Sequence, residues 1–226
     1  MEAPSGFKPA VRTNNSLLAS AEKKALIWLA HRMPVWLNSD HLTSLGFFSL
    51  IAAGLSYWYA RFSRAGLVWA IAFLILNWFG DSLDGTLARV RDRQRPRYGF
   101  YVDHVLDACG TLFIFAGLAL SGYMSERVAV GLLVLYFLLS IEVHLATYTL
   151  GKFKLSFAGF GPTELRLLLI AGNLALLNKP LATLAGRQYL LFDVGGVIGI
   201  AGMAVALVWS IVRHTALLYR TEAVPR

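Results

Sequence analysis

Four aspartates stand in apolar stretches of the chain, where charged side chains are unfavourable. Asp81 and Asp84 lie near the end of one apolar stretch, and Asp103 and Asp107 lie near the start of the next. A charged side chain at the middle of a bilayer costs about 2.5–3.5 kcal/mol on insertion scales, and such groups usually face a protein interior or a water-filled cavity. Their type and position therefore predict a functional site, and the segments that carry them must bring them together.

Helical spacing places these acids on two faces. Five residues share a stripe roughly 140° wide on one helix: Asp81, Asp84, Gly85, Ala88 and Arg89. Four more fall within roughly 80° on the next helix: Gly99, Asp103, Asp107 and Gly110. Because the connection between the helices is short, we expect antiparallel neighbours with all four carboxylates at the same depth.

Carboxylates gathered in this way repel one another and take up protons unless a cation is bound. A ligand set of oxygen atoms alone favours Mg²⁺ or Mn²⁺, with Ca²⁺ as a further candidate. Mg²⁺ is usually held by a few carboxylates together with substrate phosphates, and a site this acidic could hold two ions for phosphoryl transfer. Arg89 stands at the edge of the same stripe, where it would meet a phosphate oxygen.

The composition predicts an integral membrane protein. Of the 226 residues, 57% are hydrophobic and 15% are charged, whereas soluble domains carry about 25% charged residues. The single cysteine excludes an intramolecular disulfide and a zinc site built from several cysteines. Although the net charge is +8, the basic residues flank apolar runs, as in membrane proteins. We therefore expect no nucleic-acid partner.

The predicted fold is all-α, with six transmembrane helices preceded by an interfacial amphipathic helix at residues 16–37. The predicted spans are 42–60, 66–90, 99–122, 128–150, 163–179 and 194–213. This divides the chain into a cytoplasmic amino-terminal segment (1–41), a six-helix catalytic domain (42–220) and a cytoplasmic tail (221–226). The fifth span starts at Pro162-Thr163-Glu164, where Thr163 is the expected helix cap.

The distribution of basic residues predicts the orientation. With a cytoplasmic amino terminus and six spans, most of the 21 lysines and arginines lie on the cytoplasmic side, as the positive-inside rule requires. Both termini and the loop at 90–98 then face the cytoplasm. We therefore expect a multi-pass protein of the cell or inner membrane whose acidic site opens to the cytoplasm.

The acidic run resembles the motif of the CDP-alcohol phosphotransferases, D-x-x-D-G-x-x-A-R followed by G-x-x-x-D-x-x-x-D. Every fixed position is filled by Asp81-Ser-Leu-Asp84-Gly85-Thr-Leu-Ala88-Arg89 and then by Gly99, Asp103 and Asp107. The resemblance implies a membrane enzyme that cleaves the pyrophosphate of a CDP-alcohol with the help of a divalent metal. It would transfer the substituted phosphate to an acceptor hydroxyl and release CMP.

The resemblance also implies roles for individual residues. Asp81, Asp84 and Asp103 would be metal ligands, and Asp107 would lie beside the metals and act as general base on the acceptor. Residues of the CDP-binding pocket would be Asp81, Gly85, Ala88, Arg89 and Gly99. Because members of the family are typically homodimeric, the resemblance implies a homodimer that acts on CDP-alcohol and lipid substrates within the membrane.

The substrate branch stays open. The family contains enzymes that join CDP-diacylglycerol to a polar acceptor and enzymes that join a CDP-aminoalcohol to diacylglycerol. Lys152, Lys154 and Arg166 could bind a phosphorylated acceptor, whereas Glu164 could attract an ammonium head group or simply stabilise the first turn of a helix. The stretch Asp103-His104 and the stretch 161–164 resemble the choline and ethanolamine branch.

A different class of function is also compatible with intramembrane acids, namely a cation transporter or channel. That alternative predicts acids distributed along the membrane depth, and Arg89 would repel a permeating cation. Glu142 and His144, within the fourth predicted span, could belong to a functional site or could make an interhelical hydrogen bond.

Overall fold

The computed structural model describes residues 11–13, 18–154 and 161–222. The described chain is mostly helical. The helices are α1 (Ala19–Arg32), α2 (Ser39–Ala60), α3 (Ala65–Val90), α4 (Pro96–Ser121), α5 (Glu126–Leu150), α6 (Pro162–Asn178) and α7 (Leu191–Thr221). The strands are β1 (Val11–Thr13), β2 (Lys152–Lys154), β3 (Leu181–Leu184) and β4 (Arg187–Leu190).

Helices α2 to α7 correspond in order to the six predicted spans. Among the described residues, α3, α4, α5 and α7 are long and apolar enough to cross a membrane. The other two do not reach that standard. α6 has only 17 residues, and α2, although it has 22 residues, contains several serine and tyrosine side chains that lower its apolar character. The helices therefore indicate a multi-pass membrane protein, while the count of six spans stays a prediction.

The amino-terminal helix α1 packs against the acid-bearing part of the molecule. Its Leu26 and Ala30 are buried in a cluster with Leu42 of α2 and with Leu83 and Leu87 of α3. The predicted interfacial segment at 16–37 thus contains a helix that covers the ends of α2 and α3, and residues 16 and 17 lie outside the described part. Its position relative to the lipid stays a prediction.

Helix α2 packs against both α3 and α4. A Cβ atom built on Gly80 of α3 would lie 2.6 Å from the Leu42 carbonyl oxygen, and one built on Gly117 of α4 would overlap the backbone of Gly54 of α2. Because glycines let the backbones approach this closely, α2 packs extensively along both helices, whereas α3 and α4 make little direct contact. Direct packing of α3 against α4, as expected of antiparallel neighbours, is therefore not found along most of their length, although their acid-bearing ends meet. A space remains between the two helices.

Short strands interrupt the helical architecture. β1 pairs in parallel with β2, and β3 and β4 form an antiparallel hairpin between α6 and α7. The hairpin turns at Ala185 and Gly186, whose φ angles are 49° and 77°, as a tight two-residue turn requires. The all-helical prediction did not include these strands, because three or four residues show too little alternation to be recognised.

Candidate active site

The acids are brought together by the ends of α3 and α4 that face the same side of the molecule. α3 ends at Val90, and α4 begins at Pro96, where proline suits the first helical turn. Arg91, which follows α3, donates hydrogen bonds to the carbonyl oxygens of Met33 (2.9 Å), Pro34 (2.8 Å) and Leu37. The arginine thereby attaches the connection between α1 and α2 to the end of α3.

Asp81, Asp103 and Asp107 form a cluster that we call the acidic cluster. Each residue offers one carboxylate oxygen, and these oxygens lie within 4.8 Å of one another. The three carboxylates line a cavity of about 10 Å³ together with Thr43 and Asn77, which leaves room for about one water-sized group. Oxygen atoms at such separations suit a hard divalent cation.

Asp84, the fourth predicted ligand, lies outside this group among the described residues. Its Oδ2 atom accepts a hydrogen bond from the Thr43 hydroxyl at 2.6 Å, and its main-chain carbonyl accepts one from the Ser39 hydroxyl at 2.9 Å. Both donors belong to α2. The contacts hold the first turns of α2 against α3 beside the acidic cluster.

Arg166 of α6 brings a positive charge to the acidic cluster. Its Nη2 atom donates to Asp81 Oδ2 at 2.5 Å and its Nε atom donates to Asn77 Oδ1 at 2.7 Å. Asn77 in turn donates to the Gly46 carbonyl oxygen at 3.0 Å and is buried. Sequence reasoning missed Asn77, although it precedes Asp81 by four residues and therefore lies on the same helix face.

Of the residues predicted to bind the CDP group, Gly85, Ala88 and Arg89 lie on α3 after Asp84, and Gly99 lies in the first turn of α4. A Cβ atom at Gly85 would lie 3.4 Å from Arg89 Nη1, and Arg89 Nη2 donates to the Thr86 hydroxyl at 2.9 Å. A Cβ atom at Gly99 would meet nothing within 4 Å. Ala88, which lies between Gly85 and Arg89 on α3, is half-buried. Their roles in binding stay predictions.

Asp107 also lines a second and larger cavity, which we call the α4–α5 groove. The groove has a volume of about 350 Å³, and its polar lining includes His104, Tyr136, Ser140 and His144. The His104 and His144 rings meet edge to face, with centroids 4.8 Å apart. Asp107 is therefore accessible from two spaces, a small acidic one and a larger mixed one. Tyr136 and Ser140 were not predicted, because nothing in an apolar helix pattern distinguishes them.

The remaining predicted residues divide into three cases. Glu164 is buried, and its two carboxylate oxygens accept from the amides of Leu18 (2.9 Å) and Gly161 (3.0 Å), which favours the helix-start interpretation. The cap itself is Gly161, so the expected capping role of Thr163 is wrong. Lys152 and Lys154 lie in β2, and their side chains are outside the described part.

For Glu142, the structure favours an interhelical hydrogen bond over a place in the functional site. Its Oε1 atom lies 2.6 Å from His214 Nδ1, so α5 and α7 are joined by an interhelical hydrogen bond. His144, two residues further along α5, instead faces the α4–α5 groove. The two ionisable residues of this helix therefore have different surroundings.

Helices of membrane-spanning length and a carboxylate cluster between them define a multi-pass membrane protein with an oxygen-rich site suited to a divalent cation. The family model for CDP-alcohol phosphatidyltransferase matches residues 36–212, well over half of the chain, and the protein belongs to this family. A comparison with curated proteins finds no match. Membership supports a phosphotransferase role in phospholipid synthesis, in a family known for the use of divalent metals. Helix α1 precedes the matched region.

Proposed function

We propose that this protein transfers the substituted phosphate of a CDP-alcohol to an acceptor hydroxyl and releases CMP, in a reaction that depends on a divalent metal. The observation that carries the proposal is the acidic cluster of Asp81, Asp103 and Asp107, formed by residues of the family motif within the matched region. The proposed enzyme is a homodimer, with both termini and the site on the cytoplasmic side.

The acidic cluster would hold the metal, which we expect to be Mg²⁺ or Mn²⁺. Asp84 is the proposed fourth carboxylate ligand, although its Oδ2 atom is hydrogen-bonded to Thr43. A second ion remains part of the proposal because of the number of acids. When bound, the metal would neutralise the diphosphate and stabilise CMP as leaving group.

In the proposed reaction, a carboxylate oxygen of Asp107 takes the proton of the acceptor hydroxyl. The acceptor oxygen then forms a bond to the phosphorus that carries the alcohol substituent. The bond from this phosphorus to the bridging oxygen breaks, and CMP leaves with the electron pair. Access to Asp107 from the α4–α5 groove supports this role, because an acceptor there would lie beside the base while the diphosphate occupies the acidic side.

Recognition of the nucleotide is assigned to Asp81 together with Gly85, Ala88, Arg89 and Gly99. The missing side chain at Gly99 leaves open space at the start of α4, and Arg89 would supply a positive charge for a phosphate oxygen. For the acceptor or head group, the candidates are Arg166, Glu164, Lys152 and Lys154. Of these candidates, Arg166 has direct support, because its side chain contacts Asp81 in the acidic cluster.

A substrate panel tests the function. Purified protein is incubated with Mg²⁺ and with CDP-diacylglycerol, CDP-choline or CDP-ethanolamine, each with several acceptors, and the products are followed by CMP release and lipid mass spectrometry. We expect one donor class to give CMP and a lipid product, and chelation of the metal to stop both. Ion flux through liposomes without nucleotide, together with no CMP from any pair, would instead favour a transporter or channel.

Replacement of the proposed base gives a residue-specific test. We expect Asp107→Asn to reduce CMP release by about 10²–10⁴-fold, because general base catalysis contributes in this range. Asp92→Asn is the matched control, since Asp92 is exposed in the loop after α3 at a φ of 54°, which asparagine also adopts. Undiminished release by the Asp107→Asn variant would remove the role assigned to this residue.

A further inference from the structure

Helix α1 lies before the region that matches the family, yet one of its side chains accepts hydrogen bonds from two helices of that region. Glu22 Oε1 accepts hydrogen bonds from Trp78 Nε1 at 2.8 Å and from the Ser82 hydroxyl at 3.2 Å, both on α3. The same oxygen accepts a hydrogen bond from the Thr163 hydroxyl of α6 at 2.6 Å. A single carboxylate oxygen therefore joins three helices.

A second hydrogen bond joins α1 and α6, and in this one α1 supplies the donor and α6 the acceptor. The amide of Leu18, at the start of α1, donates to Glu164 Oε1 of α6 at 2.9 Å. Each of the two helices thus contributes a glutamate that accepts a hydrogen bond from the other. Hydrogen bonds to a carboxylate are shorter and stronger than those between neutral groups, so α1 is held firmly against the start of α6.

Two of the donors bound by Glu22 lie close in sequence to residues of the candidate site. Ser82 follows Asp81 in the chain, and Thr163 lies three residues before Arg166, on the same side of α6. Arg166 reaches across to Asp81 at 2.5 Å. Glu22 therefore joins the first turn of α6 to the acid-bearing turn of α3 through hydrogen bonds from Thr163 and Ser82.

We propose that Glu22 is a positioning residue of the active site, which holds Arg166 against Asp81 through α6. The inference rests on the proposed function, because the residues it positions are those assigned to metal and phosphate binding. Without Glu22, the side chains of Trp78, Ser82 and Thr163 lose a common acceptor. The start of α6 then loosens, and Asp81 loses the orientation that Arg166 imposes.

Three variants separate this role from a general effect on folding. Glu22→Ala removes the acceptor, Glu22→Gln keeps an acceptor oxygen on a side chain of the same length, and Lys24→Ala is a matched control because Lys24 is exposed on the same helix. For Glu22→Ala we expect the Mg²⁺ concentration at half-maximal CMP release to rise roughly tenfold, as loss of a charged hydrogen bond allows. We expect Glu22→Gln to stay within about threefold of the wild type and Lys24→Ala to be unchanged.

A second measurement does not depend on turnover. We expect hydrogen exchange of the amides in the first turns of α6 to be faster in Glu22→Ala than in Lys24→Ala, without metal or substrate. Unchanged exchange would overturn the inference, and so would an unchanged Mg²⁺ requirement with only a lower unfolding temperature. If the wild type releases no CMP from any substrate pair, the proposed function fails, while the exchange measurement still decides whether Glu22 orders α6.

Discussion

At the scale of single residues, the site is governed by the balance of charge in the acidic cluster. When all three carboxylates are ionised, as metal binding requires, they and the guanidinium of Arg166 carry a net charge of about −2 in a small volume. One divalent cation balances this charge. The arginine on Asp81 therefore reduces the repulsion in the metal-free protein without removing the need for a cation.

This balance predicts a stabilising effect of metal that requires no substrate. We expect Mg²⁺ or Mn²⁺ to raise the unfolding temperature of the purified protein, because a ligand at about 100 times its Kd stabilises the folded state by about 2.7 kcal/mol. Asp103→Asn should abolish most of the rise, whereas the Asp92→Asn control should keep it.

The same variant also has an expected effect without metal. Removal of one of three mutually repelling charges should leave metal-free Asp103→Asn at least as stable as the metal-free wild type. An equal response of both proteins to Mg²⁺ in thermal unfolding would contradict a metal site at this cluster.

At the scale of elements, the decisive feature is the packing of α2 against both α3 and α4. The close approach depends on small residues at the crossings, above all on Gly117 of α4 against Gly54 of α2. Since backbone atoms cannot move aside as a flexible side chain can, a larger residue there must push the helices apart. The space between α3 and α4, and with it the acidic cluster, would change shape.

Substitution of Gly117 tests this arrangement. We expect Gly117→Val to lower the stability of the folded protein by about 3 kcal/mol or more through overpacking, observed as a large drop in the unfolding temperature. Gly202→Val is the control, because a Cβ atom at Gly202 of α7 would meet nothing within 4 Å. Equal stability of the two variants would mean that α2 and α4 do not approach at Gly117.

At the scale of the whole molecule, the orientation in the membrane decides from which side the substrates arrive. The excess of basic residues on one side predicts that the loop after α2 lies outside and the loop after α3 lies in the cytoplasm. Two exposed and uncharged positions, Phe62 and Gln94, report on these loops. Cys109, the single cysteine, can be replaced by alanine to give a background without thiols.

Labelling of single cysteines measures the orientation. In the Cys109→Ala background, we expect an impermeant maleimide to label Phe62→Cys in intact cells and to label Gln94→Cys only after the membrane is opened. Labelling of both positions from outside would contradict a single crossing by α3. The reverse pattern would contradict the proposed orientation.

The local sequence predicts much of the fold because helices repeat regularly and spans require long apolar runs. The predicted span at 66–90 corresponds to α3 at Ala65–Val90, and the motif places Asp81, Asp103 and Asp107 on helix faces that the structure brings together. The motif also led to the family that the comparison shows. In these cases the required information lies within one helix turn or one contiguous motif.

The contacts between distant segments were decided only by the tertiary structure. Thr43 and Asp84 are 41 residues apart, and Leu18 and Glu164 are 146 residues apart. Helical periodicity relates residues within one helix, but it does not specify which helix lies beside which. The packing of α2 against both acid-bearing helices, the contact of Arg166 with Asp81 and the hydrogen bond of Glu22 to α6 all depend on how complete helix surfaces pack together.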